Sequence, residues 1–312
     1  MTKFGKKIIF IFIMLLSISL MCILCMMPYI GGSSGTVMHR ENDSSVSVKT
    51  ACSFYPQYVI ALNLLKDIDN VSVVNITSNV TGCIHDYELT TDNLRTLSDA
   101  DVLFINGGGM EEFTLKATES VKDLKICDVS SDFEYAYENP HYWMDFNLYI
   151  NQVLSMDSYL VSLCGNGMTD SLAENARNYI DRIRAMQMKY DRLDLSGIPV
   201  VTFHEALETL AQYMGMDVKK SIDMDYDTAL SAGDMKETED IIRKNHVKYI
   251  FAAEGFSTAA EKVAGDTDTT VIYLNPGVTL YKDGSVNGTF TDEDSYINMA
   301  DGNLQELGKI VD

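Results

Sequence analysis

Five histidines occur in the 312 residues, at positions 39, 85, 141, 204 and 246. A neutral imidazole is a common ligand for a zinc-like ion, and three of the five stand in alike surroundings. His85 follows the β-branched segment Val71–Thr77 after a loop containing Gly82. His141 follows the strand-like segment Leu124–Val129 after a polar loop ending in Asn139-Pro140. His204 comes immediately after the apolar run Val200-Val201-Thr202-Phe203. In open α/β sheets ligands gather beyond the carboxyl ends of the strands. Two such histidines come from the first half of the chain and one from the second, which reads as a site for one divalent ion in a cleft. His39 lies in a polar linker, and His246, in Asn245-His246-Val247-Lys248, reads as an exposed loop residue. A lone histidine is more often structural, and no compact HxH or HExxH element is present. The recurrence of the position carries the reading.

The elements that must place these residues alternate between short apolar runs and helical patterns. Strands are expected at Val46–Phe54, Val71–Thr77, Asp101–Asn106 and Leu124–Val129, with helices at Pro56–Leu65, Thr91–Leu97 and from about Met110. The stretch Asp170–Leu193 has no internal Gly or Pro, and Leu172, Ala176, Ile180, Ile183 and Met186 recur at helical spacing. Alternation then resumes with strands Pro199–Phe203, Lys248–Ala252 and Thr270–Leu274 and helices Glu205–Met214, Asp234–Lys244 and Ser257–Ala264. Alternating βα units imply mainly parallel sheets covered on both faces. The expected fold is α/β, with two Rossmann-like domains joined by one long backbone helix. The expected division is a leader and linker over 1–45, an N-terminal domain over 46–165, a linking helix over 166–195 and a C-terminal domain over 196–312.

The formal net charge is −21, which argues against nucleic-acid binding and against wide contact with anionic lipid. Lys3, Lys6 and Lys7 precede an uncharged run from Ile8 to Met27, long enough to span a bilayer and followed by the Pro28–Gly35 exit. The body is therefore expected outside the cytoplasm, either cleaved from this segment or tethered by residues 8–27, its membrane contact. Met21 and Leu24 precede Cys22 and Cys25 where a lipid-attachment motif wants a small residue. The body cysteines, Cys52, Cys83, Cys127 and Cys164, form no CxxC pair, so a cysteine zinc site is not expected. Disulfides and buried thiols both stay open.

The motifs around the histidines resemble the ZnuA/TroA-like family, the cluster A-I metal-binding proteins of ABC importers. The resemblance runs from about Thr50 to Leu307. Ser53-Phe54-Tyr55-Pro56 is similar to the family's first strand-to-helix turn, and His85-Asp86-Tyr87-Glu88 with Thr90 to its first ligand loop. Asn106-Gly107-Gly108-Gly109-Met110-Glu111 resembles the next turn, Asn139-Pro140-His141-Tyr142-Trp143-Met144-Asp145 the second ligand motif and Phe203-His204-Glu205-Ala206 the third. Phe251-Ala252-Ala253-Glu254 and Leu274-Asn275-Pro276 match the last strands.

The resemblance implies that His85, His141 and His204 each donate an imidazole nitrogen to a captured metal ion. It implies an ABC permease and its ATPase as partners, and a role in metal capture and delivery rather than in catalysis. Three histidines favour zinc, while manganese prefers more oxygen and stays open. The family often adds an Asp from the second domain, where this chain aligns Asn275; Glu254 or water are the substitutes. Cys83, and Cys52, are candidate neighbours of the site. Asp86, Asp145 and Glu205 adjoin the histidines, either as acceptors orienting an imidazole or as acids favoured at helix N-termini. Trp143, the single tryptophan, reads as a core or cleft-wall residue. The competing classes are a zinc hydrolase with Glu205 or Glu254 as base and a surface adhesin.

Overall fold

The computed structural model describes residues 48–78, 80, 82, 84–85, 87–133, 139–223, 230–253, 258–278, 280–282, 285–287 and 292–311. The leader expected over residues 8–27, His39, Cys83, Asp86 and Glu254 lie outside the described residues.

Two four-stranded parallel sheets organise the chain. The first contains β1 (Val48–Cys52), β2 (Val71–Asn75), β3 (Val102–Ile105) and β4 (Ile126–Asp128) in the order β2-β1-β3-β4. The second contains β5 (Pro199–Phe203), β6 (Asp217–Ser221), β7 (Tyr249–Ala253) and β8 (Thr270–Leu274) in the order β6-β5-β7-β8. Every pairing within the two sheets is parallel. The inner strands explain this. Val102-Leu103-Phe104-Ile105 is buried at all four positions, as a strand covered on both faces must be. Both sheets have the same order, so each reverses direction of growth beside its first strand. Such a reversal opens a crevice at the carboxyl ends.

The helices begin where local chemistry starts them. α1 (Tyr55–Leu64) has Pro56 in its first turn, where a missing N–H costs nothing. α2 (Thr91–Ser98) opens on a capping box between Thr90 and Asn93. α3 spans Thr114–Ser120, and α4 (Phe146–Cys164) starts at Asp145, whose carboxylate accepts from Asn147 N and Leu148 N. α5 (Thr169–Tyr190) is the long helix, about 33 Å at ~1.5 Å per residue. It buries Leu172, Ala176, Ile180, Ile183 and Met186, the stripe that the spacing predicts. α6 (Glu205–Tyr213), α7 (Ala232–Asn245), α8 (Thr258–Thr267) and α9 (Ser295–Gly308) complete the chain, with a short antiparallel hairpin of β9 (Leu280–Lys282) and β10 (Ser285–Asn287) before α9. His246 ends α7 in the left-handed conformation, exposed.

The sequence reading had no element for α4, β6, the β9–β10 hairpin or α9. α4 packs on several neighbours and buries Phe146, Tyr149, Ile150, Val153, Met156 and Leu160, so its apolar residues spread beyond one stripe. β6 is an edge strand, Asp-Val-Lys-Lys-Ser, whose polar residues hide it.

Residues Ser45–Asp312 form one compact unit. Its main core runs from Ala51 to Leu307 through both sheets, and a smaller cluster lies around Phe203, Ile250 and Val263. The joint between the halves is aromatic. Trp143 is fully buried; its indole N–H donates to Pro276 O, and Tyr296 Oη donates to Trp143 O. Tyr149 stacks on Tyr296 with ring centroids 3.8 Å apart. Gly277, at φ +76°, lets the backbone pass Trp143 so closely that an added Cβ would meet the indole nitrogen. The α9 region thus returns to the first half, where Lys66 pairs with Glu293, and packs on the linking helix α5, where Arg182 pairs with Asp294 and Tyr190 Oη donates to Ala300 O.

Candidate metal centre

His204 sits at the carboxyl end of β5 and is the N-cap of α6, its backbone extended at φ 175°. His141 follows β4 and precedes a short 3₁₀ turn, Tyr142–Met144. His85 lies in the loop after β2, which fully buried Ile84 anchors. His141 and His204 are 1% and 2% exposed, whereas His85 is half-buried. That asymmetry leaves His85 as the solvent-side wall. The three rings meet: the His85–His141 centroids are 5.7 Å apart and the His141–His204 centroids 5.5 Å. Trp143 backs His141 at 5.0 Å.

Hydrogen bonds fix which nitrogen of His141 faces the site. Asn139 Nδ2 donates to Glu205 O at 2.8 Å, and Asn139 Oδ1 accepts from His141 N at 3.1 Å. The amide oxygen therefore also faces His141 Nδ1, 2.6 Å away. A carbonyl oxygen can only accept, so Nδ1 carries the proton and Nε2 keeps its lone pair for a metal. His204 is held differently: its Nδ1 accepts from Ala206 N at 3.1 Å. Its neutral ring then carries the proton on Nε2, and full engagement of that nitrogen with a metal costs the cap bond.

A carboxylate stands with two of these histidines, and His204 is not a member of that closest group. One ligating atom each from His85, His141 and Glu205 lie within 4.8 Å of one another. The sequence offers Glu205 as an orienting neighbour, a helix N-terminal acid or a hydrolase base, but not as a ligand. Sequence reasoning also passed over Asn139 as the orienting group, although an Asn two residues before a histidine is a recognisable turn signal. Asp145 has the helix role, capping α4. Asn275 Oδ1 accepts from Gly277 N at 2.9 Å, and Asn275 N donates to Asn303 Oδ1. Cys52 is free and fully buried, and burial pushes its thiol far above the ordinary range. Cys127 is also free, its thiol pushed up by burial to about 12. Neither thiol is a ready metal ligand.

Behind His141 lies a polar support that the sequence did not reveal. Glu111, 5% exposed, accepts from Ser53 Oγ (2.7 Å), Asn106 N (2.6 Å) and Gly107 N (3.0 Å). Asn106 Nδ2 in turn donates to Pro140 O at 2.8 Å, next to His141. Gln57 and Gln152 both donate to Asn106 Oδ1. The loop is thereby tied to the first sheet through a single buried amide.

Burial holds both deep histidines neutral. It lowers His204 to about 4, with His85 adding repulsion, and takes His141 well below its ordinary value, with His204 and His85 adding to the effect. Unfolded rings titrate near 6.5. As pH falls from about 6.5 towards 4, the unfolded chain gains protons that the folded rings refuse, so these groups remove stability. For His204 the loss is on the order of 3 kcal/mol. Glu111 has the opposite sign. Burial, outweighing its three donors, raises it to about 7, so its contribution to stability grows as pH falls from 7 to about 4.5. Urea unfolding of the metal-free protein checks the histidine contribution. Between pH 6.5 and 4.5 it should lose more stability than a His141→Gln/His204→Gln variant, and equal losses would refute the assignment.

The zinc-uptake complex component A, periplasmic (ZnuA) family model matches residues 51–310. The chain belongs to the ZnuA family. This family is one of periplasmic zinc-uptake components, an import role rather than an enzymatic one, and the hydrolase alternative has no support in it. Among relatives of the ZnuA-family chain, the zinc-binding lipoprotein AdcA of Streptococcus pneumoniae is 21% identical over 298 residues, covering 88% of this chain and 57% of AdcA. The chain thus spans little more than half of that relative. The iron-binding protein YfeA of Yersinia pestis is 25% identical over 288 residues, covering 87% and 88%. The solved structure of FpvC from Pseudomonas aeruginosa with Ni2+ aligns with a TM-score of 0.71 at 20% identity, covering 84% of this chain and 97% of FpvC. The likeness supports the two-sheet architecture.

Proposed function

We propose that the chain captures a divalent metal ion, zinc by preference, outside the cytoplasm and delivers it to an ABC import permease driven by its ATPase. His85, His141 and His204 are the proposed nitrogen donors. The observation that carries the reading is the meeting of ligating atoms from His85 and His141, one after each of two strands, with a carboxylate from the second half, all within 4.8 Å. His141 already has the tautomer that ligation needs, set by Asn139. Manganese and iron are the alternatives, as relatives named for manganese and iron indicate.

The permease step must work with a body whose halves share a core. The joint at Trp143, Tyr296 and α9 resists wide hinge opening, so release depends on loop shifts around His85, the solvent-side donor. Such a shift needs the permease to bind the open state better than the closed one. Calorimetry with zinc on the metal-stripped protein tests the capture step. Tight binding of one ion per chain is expected. No tight binding, or wild-type binding by a His85→Ala/His204→Ala variant, would sink the proposal.

A further inference from the structure

Resting on that reading, we propose that Glu205 is itself a metal ligand, supplying the oxygen donor of the site from the residue next to His204. Its carboxylate converges with the ligating atoms of His85 and His141 within 4.8 Å. Tetrahedral donors at ~2.0–2.2 Å from zinc lie roughly 3.5 Å apart, so an ion would draw this group together by about 1 Å, within the reach of side-chain adjustment. Asn139 holds the two donors in register. Its Oδ1 faces the His141 ring, while its Nδ2 donates to Glu205 O.

The helix macrodipole alone does not account for Glu205. Glu208 shares the first turn of α6, and its carboxylate accepts from Gln212 Nε2 on that helix rather than meeting the histidines. His204 Nδ1 meanwhile caps the helix. Adjacent residues thus divide the work: His204 starts α6 and turns its other ring nitrogen to the proposed nitrogen set, and Glu205 brings the charge. A carboxylate beside imidazoles also suits manganese and iron better than an all-nitrogen set, so the range of metals taken up is wider than three histidines imply.

Zinc and manganese titrations of wild type, Glu205→Gln, Glu205→Asp and His85→Ala/His141→Ala, each paired with a thermal melt, test this. Glu205→Gln should lose at least about tenfold in zinc affinity and more for manganese. Glu205→Asp keeps the charge at the helix start and the melting temperature, yet retracts the donor and should also lose affinity. An infrared difference spectrum on zinc addition should show a carboxylate shift that Glu205→Gln lacks. Wild-type binding by Glu205→Gln, with loss in the double histidine variant, overturns the carboxylate and leaves the histidine site standing. Loss in Glu205→Gln with full binding in Glu205→Asp assigns the effect to helix charge and overturns it too. Wild-type binding by His85→Ala/His141→Ala instead defeats the histidine reading itself.

Discussion

His141→Ala lowers zinc affinity by more than about a hundredfold while leaving the protein folded. Removing an outer partner of a metal ligand already costs ~10–100-fold, and His141 is closer to the chemistry than that. It is the central ring of the three, within 5.7 Å of His85 and 5.5 Å of His204 by ring centroids, and its lone pair is aimed by Asn139. Asn139→Ala should fall in the lower range, because it leaves the donor present and frees its tautomer. Isothermal titration of both variants at pH 7.5, with circular dichroism to verify folding, checks the order. Equal affinities for His141→Ala and wild type would remove the centre from this cleft.

Trp143→Ala destabilises the protein by about 3–5 kcal/mol, as large-to-small changes at fully buried aromatic sites do. The indole fills the joint between the halves, packs edge-on against Phe54 at 5.3 Å and holds Pro276 O. Trp143→Phe should cost less, about 1–3 kcal/mol, chiefly by leaving that carbonyl without its donor. Urea denaturation of the two variants separates volume from hydrogen bond. A loss under 1 kcal/mol for Trp143→Ala would mean that the halves do not depend on this joint. The alanine variant should also bind zinc more weakly, since Trp143 backs the His141 ring at 5.0 Å.

The parallel sheets were legible because their inner strands are continuous apolar runs broken by helical periods. Pro199–Phe203 and Thr270–Leu274 were read to the residue. The histidines were legible because post-strand positions are where open sheets bind ligands. What escaped was whatever depends on contacts distant along the chain. Glu111 reads as one acid in a glycine-rich turn, and only folding brings Ser53, 58 residues away, to its carboxylate. Trp143 could be placed in a core or a cleft wall, but not as a donor to Pro276, 133 residues on. Glu205 was hidden by its position, since an acid at the start of a helix has a sufficient local explanation.

The return of α9 to the first half has a consequence for biogenesis. Asn63 Nδ2 donates to Glu293 O, 230 residues later, and Tyr149, in the first half, stacks on Tyr296. The helices that cover the N-terminal sheet therefore lack part of their packing until residues 293–296 have been synthesised. Domains usually settle one after another as they leave the ribosome. A chain whose early helices wait for contacts more than 140 residues later stays loose for longer, and loose is the state in which a polypeptide can be threaded through a narrow channel before it folds on the far side.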